Sequence, residues 1–213
     1  MDESARFSAP LSLPRPRGAR VIEAFSPKLA RRVQSFGRRA FDLWICLEAD
    51  PDVVAFCERP TYAGLLTNKT LIDFWVRYRD REAFLLLEGE AMSSSVEVGD
   101  GSLPVRVVPT AELAAARCWI SNWERMLPCM VACRTSLTSA LLHTIAAHVA
   151  EPMQLSRIER DLDCGDPTLT RAALFSLLHA GQLWCVLHIG VDLREEQIGK
   201  DELHHGQNRP GHG

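Results

Sequence analysis

The sequence predicts an α/β fold: a mixed sheet flanked by helices, followed by a smaller unit of helices and short strands. Three observations predict it. Residues 21–128 alternate helical and strand-like patterns, which is the signature of an α/β core. Apolar residues make up 46% of the 213, enough to fill a core and too many for a disordered chain. From about Pro128 the pattern changes to helix, helix, turn, helix and a β-rich run.

The elements follow in order. Residues 1–20, "MDESARFSAPLSLPRPRGAR", are rich in Pro, Ser and Arg and lack periodicity, and read as a flexible basic arm. A long helix is expected from Ser26, a good N-cap, with Pro27 in its first turn. Leu29, Val33, Phe36, Ala40, Leu43, Trp44 and Leu47 recur at three and four residues and form its apolar face. Pro51 ends it, because the residue before a proline is pushed out of helical geometry.

"VVAFCERP" reads as a strand and "TYAGLLTNKT" as a polar loop. "LIDFWVRY" and "AFLLLEGE" read as two strands of a hairpin joined through "RDRE". A turn-rich excursion, "AMSSSVEVGDGSLP", leads to a strand, "VRVV". Pro109 breaks that strand and Thr110 caps a helix in "TAELAAARCWISNWERML".

The second unit spans residues 131–191. It begins with a helix in "SLTSALLHTIAAHVA". A short helix, a Gly/Pro turn, a longer helix capped by Thr168 and a stop at Gly181 follow. This order is that of a winged helix-turn-helix. Its recognition-like helix carries only Arg171 and His179 as basic groups, so protein contact is the expected role rather than base reading. Residues 192–213 read as a polar tail.

The net charge of −3 hides an asymmetry. Between Arg15 and Arg39 stand eight basic residues against one acid, Glu23. Lys28, Arg31, Arg32 and Arg38 belong to this set, an expected anion-binding face for phosphates; under the resemblance given below, they and Lys69 are the expected DNA-contacting groups. A solvated helix face with a loose arm accounts for the same pattern. The seven cysteines are odd in number and form no CxxC pair, which points to a reducing cytosol. Cys129 and Cys133 with His143 and His148 fit no common zinc spacing. No apolar run approaches the roughly 20 residues a membrane span needs.

The acids in the hairpin carry the chemistry. Alternate strand residues share a face, so Glu88 and Glu90 point the same way, and Asp73 can approach Glu88 across the hairpin. Carboxylates brought together repel unless a cation lies between them, and oxygen ligands suit Mg²⁺. Glu48 sits near the end of the first long helix, on or beside its buried face, where the macrodipole disfavours an acid. Polar strand ends are also common without any function.

Helical Glu48 in "LWICLEADPDVVAFCERP", Asp73 in "LIDFWVRYRD" and Glu88-Gly89-Glu90 after an apolar strand resemble the TnsA-type endonuclease domain of the PD-(D/E)xK nuclease superfamily. The resemblance extends to "SPKLARRV", "VRVVPTAEL" and "NWERMLP" and covers roughly residues 24–130. It implies a restriction-endonuclease-like sheet and a subunit of a heteromeric bacterial transposon that nicks the 5′ strands at transposon ends. Glu48, Asp73 and Glu88 would be the metal-linked acids, with Mg²⁺ or Mn²⁺ as cofactor and Glu90 as general base. The implied partners are transposon-end DNA, a transposase subunit and, through the C-terminal domain, an ATPase regulator. The implied site of action is the bacterial cytoplasm, at the nucleoid. One position departs: the family pattern carries Lys where this chain has Glu90. An active variant with Glu in that place, a Lys displaced to Lys69, and a non-catalytic adaptor all remain open.

Overall fold

The computed structural model describes residues 7–64, 69–87, 95–98, 101–149, 151–162, 166–186 and 197–199. The chain divides into two compact units, Met1–Val131 and Ala132–Gly213.

The first unit opens with an antiparallel hairpin, β1 (Val21–Ser26) and β2 (Arg31–Phe36), in the register Val21↔Phe36 to Ser26↔Arg31. This overturns the helix expected to start at Ser26. The spacing of Leu29, Val33 and Phe36 fits a helix, but Val33 and Ser35 are both buried, which is the alternation of a strand. Gly37 then adopts φ 93°, open to glycine and strained for other residues, so no continuous helix passes through it. Helix α1 (Arg38–Ala49) starts there and stops before Pro51, with Asp50 already extended.

β3 (Val53–Glu58) follows. The polar loop after it holds a short ladder, β4 (Tyr62–Ala63) with β5 (Thr70–Leu71). β6 (Phe74–Tyr78) and β7 (Glu82–Leu86) form the expected antiparallel hairpin. β8 (Ser95–Val98), in the stretch read as a turn-rich excursion, pairs with β9 (Gly101–Val107). The resulting sheet has five strands in the order β3-β6-β7-β9-β8. Only β7 and β9 run parallel, so the sheet is mixed. Helices α2 (Thr110–Ala115) and α3 (Arg117–Cys133) follow. Pro109, not Thr110, is the cap of α2, and α3 runs on through Pro128.

Each face of the sheet is apolar. Cys57, Trp75, Phe84 and Leu86 line one face. Phe7 inserts among them, 5.4 Å from the Trp75 ring and 5.6 Å from Phe84. The segment read as a loose arm therefore supplies a core residue, and it is tied further by the Leu11 amide, which donates to the Arg59 carbonyl at 3.0 Å. By strand alternation Phe56, Phe74, Val76 and Leu85 line the other face, all nearly inaccessible, and α1 packs against β3.

The second unit runs α4 (Ser139–His148), β10 (Met153–Gln154), α5 (Leu155–Asp161), α6 (Pro167–His179), β11 (Trp184–Val186) and β12 (Gln197–Gly199). Its strands form an antiparallel sheet in the order β10-β12-β11. Thr138 caps α4 through the Leu141 amide. Asp166, not Thr168, caps α6, and Pro167 takes the first helical position. Gly181, at φ 68°, ends α6 with its amide on the Leu178 carbonyl. Among the described residues no helix is long and apolar enough to cross a membrane.

Candidate functional site

Asp73 stands where three strands finish. It immediately precedes β6. Its amide donates to the Leu85 carbonyl at 3.2 Å, and its own carbonyl accepts from the Arg59 amide at 2.8 Å. Its carboxylate Oδ2 accepts the Leu87 amide at 2.7 Å. One half-buried aspartate thus ties the end of β3 to the end of β7. A charged acceptor on a backbone amide makes a stronger bond than a neutral one.

Leu87 is held from both sides. Its carbonyl accepts a bond from the Arg39 guanidinium at the start of α1. Leu87 is also the residue before Glu88. Glu88 and Glu90 lie outside the described residues, so the expected approach of Asp73 to Glu88 is fixed only as far as Leu87.

An arginine–glutamate pair and a buried arginine border Asp73. Glu58, the last residue of β3, is 2% exposed, and both its oxygens accept from Arg31, at 2.9 and 2.7 Å. That bond raises the Arg31 pKa above its ordinary value. Arg59 follows in left-handed geometry, φ 48°, and is 8% exposed. Its guanidinium lies 4.6 Å from the Phe36 ring centre and donates to the Gln34 carbonyl at 2.6 Å. Burial lowers its pKa, against the pull of Glu58. A non-glycine residue held in that conformation costs on the order of 1–2 kcal/mol. Neither feature is visible in the sequence, because one is a backbone angle and the other a cross-strand pairing.

Glu48 is not at this place. It lies in the last turn of α1, beside the connection into β3. β3 starts opposite Tyr78 and reaches Phe74 only at Glu58. Five strand steps, roughly 16 Å, separate the two ends. Glu48 is fully buried, with Oε2 accepting from the Ser26 hydroxyl and Oε1 from the Lys28 amide at 3.0 Å. It fastens the β1–β2 turn to α1. The structure brings Asp73 beside Leu87, while the Glu48 carboxylate is bonded to the β1–β2 turn.

The expected DNA-contacting groups also separate. The Lys28 ammonium caps α1 by donating to the Leu47 carbonyl at 3.0 Å and to the Asp50 carbonyl. Burial brings its pKa down to about 8. Arg31 is committed to Glu58. Arg38 bonds Asp42 at 2.7 Å and Glu124 at 3.0 and 2.8 Å. Arg32 and Lys69 are exposed. Burial raises the Cys46 thiol to about 11 and the Cys57 thiol to about 12, so both act as packing groups.

Among the described residues no group of three or more His, Cys, Asp or Glu is placed to hold a metal ion. In the second unit seven of the thirteen residues of α6 are buried, and Arg171 bonds Glu159 of α5 at 3.1 Å through one nitrogen and again through Nε. That leaves little of α6 for reading bases. No protein-family model matches the chain, and no curated protein matches its sequence.

Proposed function

We propose that the chain is a TnsA-like endonuclease subunit of a heteromeric bacterial transposon, with a restriction-endonuclease-like first unit and a winged-helix second unit. The observation that carries the reading is Asp73. Its carboxylate bonds the amide of the residue before Glu88, at the common end of an antiparallel hairpin in a mixed five-stranded sheet. Phosphodiester hydrolysis needs acids gathered at one such edge, open to a nucleic-acid strand. Asp73 and Glu88 would hold Mg²⁺ or Mn²⁺, which lowers the pKa of a bound water and offsets charge on the phosphate. Glu48, the third metal-linked acid that the resemblance implies, is bonded to Ser26 and Lys28. Glu90 would take the proton of the attacking water. The Arg39 guanidinium sits on the Leu87 carbonyl, one residue before Glu88.

The winged-helix reading of the second unit rests on its element order and on the strand order β10-β12-β11. With Arg171 paired and α6 largely buried, its partner is protein, the ATPase regulator, while transposon-end DNA and the transposase meet the first unit.

A second reading is favoured by one observation. Glu48 is consumed by Ser26 and Lys28, and the third motif position is Glu90. A subunit that kept the nuclease fold as an adaptor between DNA, transposase and ATPase would have this pattern. Both readings meet one test: nicking of a transposon-end duplex by the chain with its transposase, in Mg²⁺ or Mn²⁺. The endonuclease reading expects 5′-strand nicks that Asp73→Ala abolishes. Normal 5′ nicking by Asp73→Ala removes the catalytic assignment, and an inactive wild type that still assembles on DNA establishes the adaptor.

A further inference from the structure

A cavity of about 400 Å³ lies between the strap Pro10–Leu13 and the β2 strand, beside the end of β3. Arg31, Arg32 and Arg59 line it, with Glu58 and Glu23. The acids there are already engaged. Both Glu58 oxygens are on Arg31, and Glu23 accepts from Gln34 at 3.1 Å. Three guanidiniums against two carboxylates leave the lining with an excess of one positive charge. Arg32 is exposed and makes no side-chain hydrogen bond or ion pair among the described residues. The buried Arg59 Nε has no hydrogen-bond partner there either. A buried N–H without an acceptor is costly to the fold. Arg59 is also the residue held at φ 48°. Strain of this kind persists where the surrounding structure fixes a group for use.

The strap closes one side. Its Leu11 amide bonds the Arg59 carbonyl at 3.0 Å, and Phe7 anchors it in the core. Arg15, Arg17 and Arg20, all exposed, continue the same segment. The segment that closes the cavity is thus itself basic. Planar guanidiniums in such a setting suit a phosphate better than a single-point cation does. The Arg59 amide sits on the Asp73 carbonyl, so the cavity is next to the acid edge.

The geometry points to a phosphate-binding pocket formed by Arg32, Arg59 and the Pro10–Leu13 strap, which holds a backbone phosphate of the DNA strand whose neighbouring linkage lies at Asp73. This rests on the DNA reading of the first unit but needs no cutting. The position of the phosphate sets which linkage faces the acids.

The test is fluorescence anisotropy of a labelled duplex oligonucleotide with the full chain in EDTA, over a range of salt. Arg32→Ala is expected to weaken binding about fivefold, and Arg32→Glu more, with the salt slope falling by about one phosphate contact. Arg59→Lys keeps the charge, loses the fork, and is expected to weaken binding about threefold with an unchanged salt slope. Circular dichroism confirms the fold of each variant. Inorganic phosphate at matched ionic strength should compete with DNA on the wild type and not on Arg32→Glu. Wild-type affinity in Arg32→Glu overturns the pocket, whatever the nicking assay shows. Phosphate binding by a chain that does not bind DNA overturns the DNA assignment. Loss of DNA binding in Arg32→Glu, with a wild type that never nicks, supports the pocket and removes the catalytic reading alone.

Discussion

The two ends of helix α1 carry similar residues and do opposite things. At its C-terminal end, Glu48, Ser26 and Lys28 satisfy one another in a buried knot. At its N-terminal end, Arg39 reaches Leu87, next to half-buried Asp73 and the arginine-lined cavity. An acid closed in by its own neighbours stabilises the fold. An acid at a strand edge beside a positive cavity is placed for a ligand. The difference lies in what surrounds each carboxylate rather than in the residue type.

The largest expected effect breaks the closed end. Glu48→Ala leaves the Ser26 hydroxyl and the Lys28 amide without their acceptor in a fully buried site. The expected loss is about 3 kcal/mol, read as a lower urea midpoint at unchanged slope. Glu48→Gln keeps the shape and should lose about half as much. Neither change should alter nicking by the folded fraction. Abolished nicking in a well-folded Glu48→Gln would return Glu48 to the catalytic set.

Asp73→Ala comes next, and should show the inverse profile. The Leu87 amide loses a charged acceptor in a half-buried place, a loss of about 2 kcal/mol in stability. Metal-dependent nicking should disappear entirely. A variant that loses stability and keeps its nicking would make Asp73 only a strand tie, like Glu48.

The sheet was legible because its strands are apolar runs with clear breaks. β3, β6 and β7 fall within "VVAFCERP", "LIDFWVRY" and the region of "AFLLLEGE", and the β6–β7 pairing follows from the short "RDRE" link. The β1–β2 hairpin was not legible, because Leu29, Val33 and Phe36 satisfy helical spacing while Gly37 carries the decisive backbone angle. Phe7 was hidden by composition: one aromatic in a Pro- and Arg-rich arm does not show where it packs. Asp73 stood out as an acid within an apolar strand. Glu48 stood out in the same way, and sequence spacing cannot tell which end of a sheet a helical acid will meet. Arg59 and its cavity gave no signal, because their features arise only when β2, β3 and the strap are brought together.

A smaller effect sharpens the closed end by pH. Burial lowers Lys28 from 10.5 to about 8, so the folded chain releases this proton before the unfolded chain does. Between about pH 8 and pH 10.5 the unfolded state holds more protons, and the contribution of Lys28 to stability rises with pH. Below pH 8 both states are protonated and the folded state bears the full desolvation cost. The neutral amine still has N–H groups for the Leu47 and Asp50 carbonyls, so the cap survives deprotonation. Urea unfolding at pH 7 and pH 10 should show wild type gaining on Lys28→Met by on the order of 1 kcal/mol. Parallel pH dependences would mean that the ammonium is solvated.

The smallest effect separates a matched charge from an unmatched one. Arg38 and Arg32 are both exposed arginines of the same basic stretch, and sequence alone gives them the same role. Arg38 already bonds Asp42 and Glu124. The Glu124 pair is exposed and contributes little, but Asp42 is buried and loses its nearest cation, so Arg38→Ala should cost about 1 kcal/mol. Its effect on DNA affinity should be below twofold, because removing it also frees two carboxylates that its charge had offset. Arg32→Ala should leave stability unchanged and weaken DNA binding. Equal losses of affinity from the two variants would mean that DNA responds to the net charge of the stretch and not to the cavity. A larger loss from Arg32 ties recognition to the one guanidinium of that pair that the fold leaves unmatched.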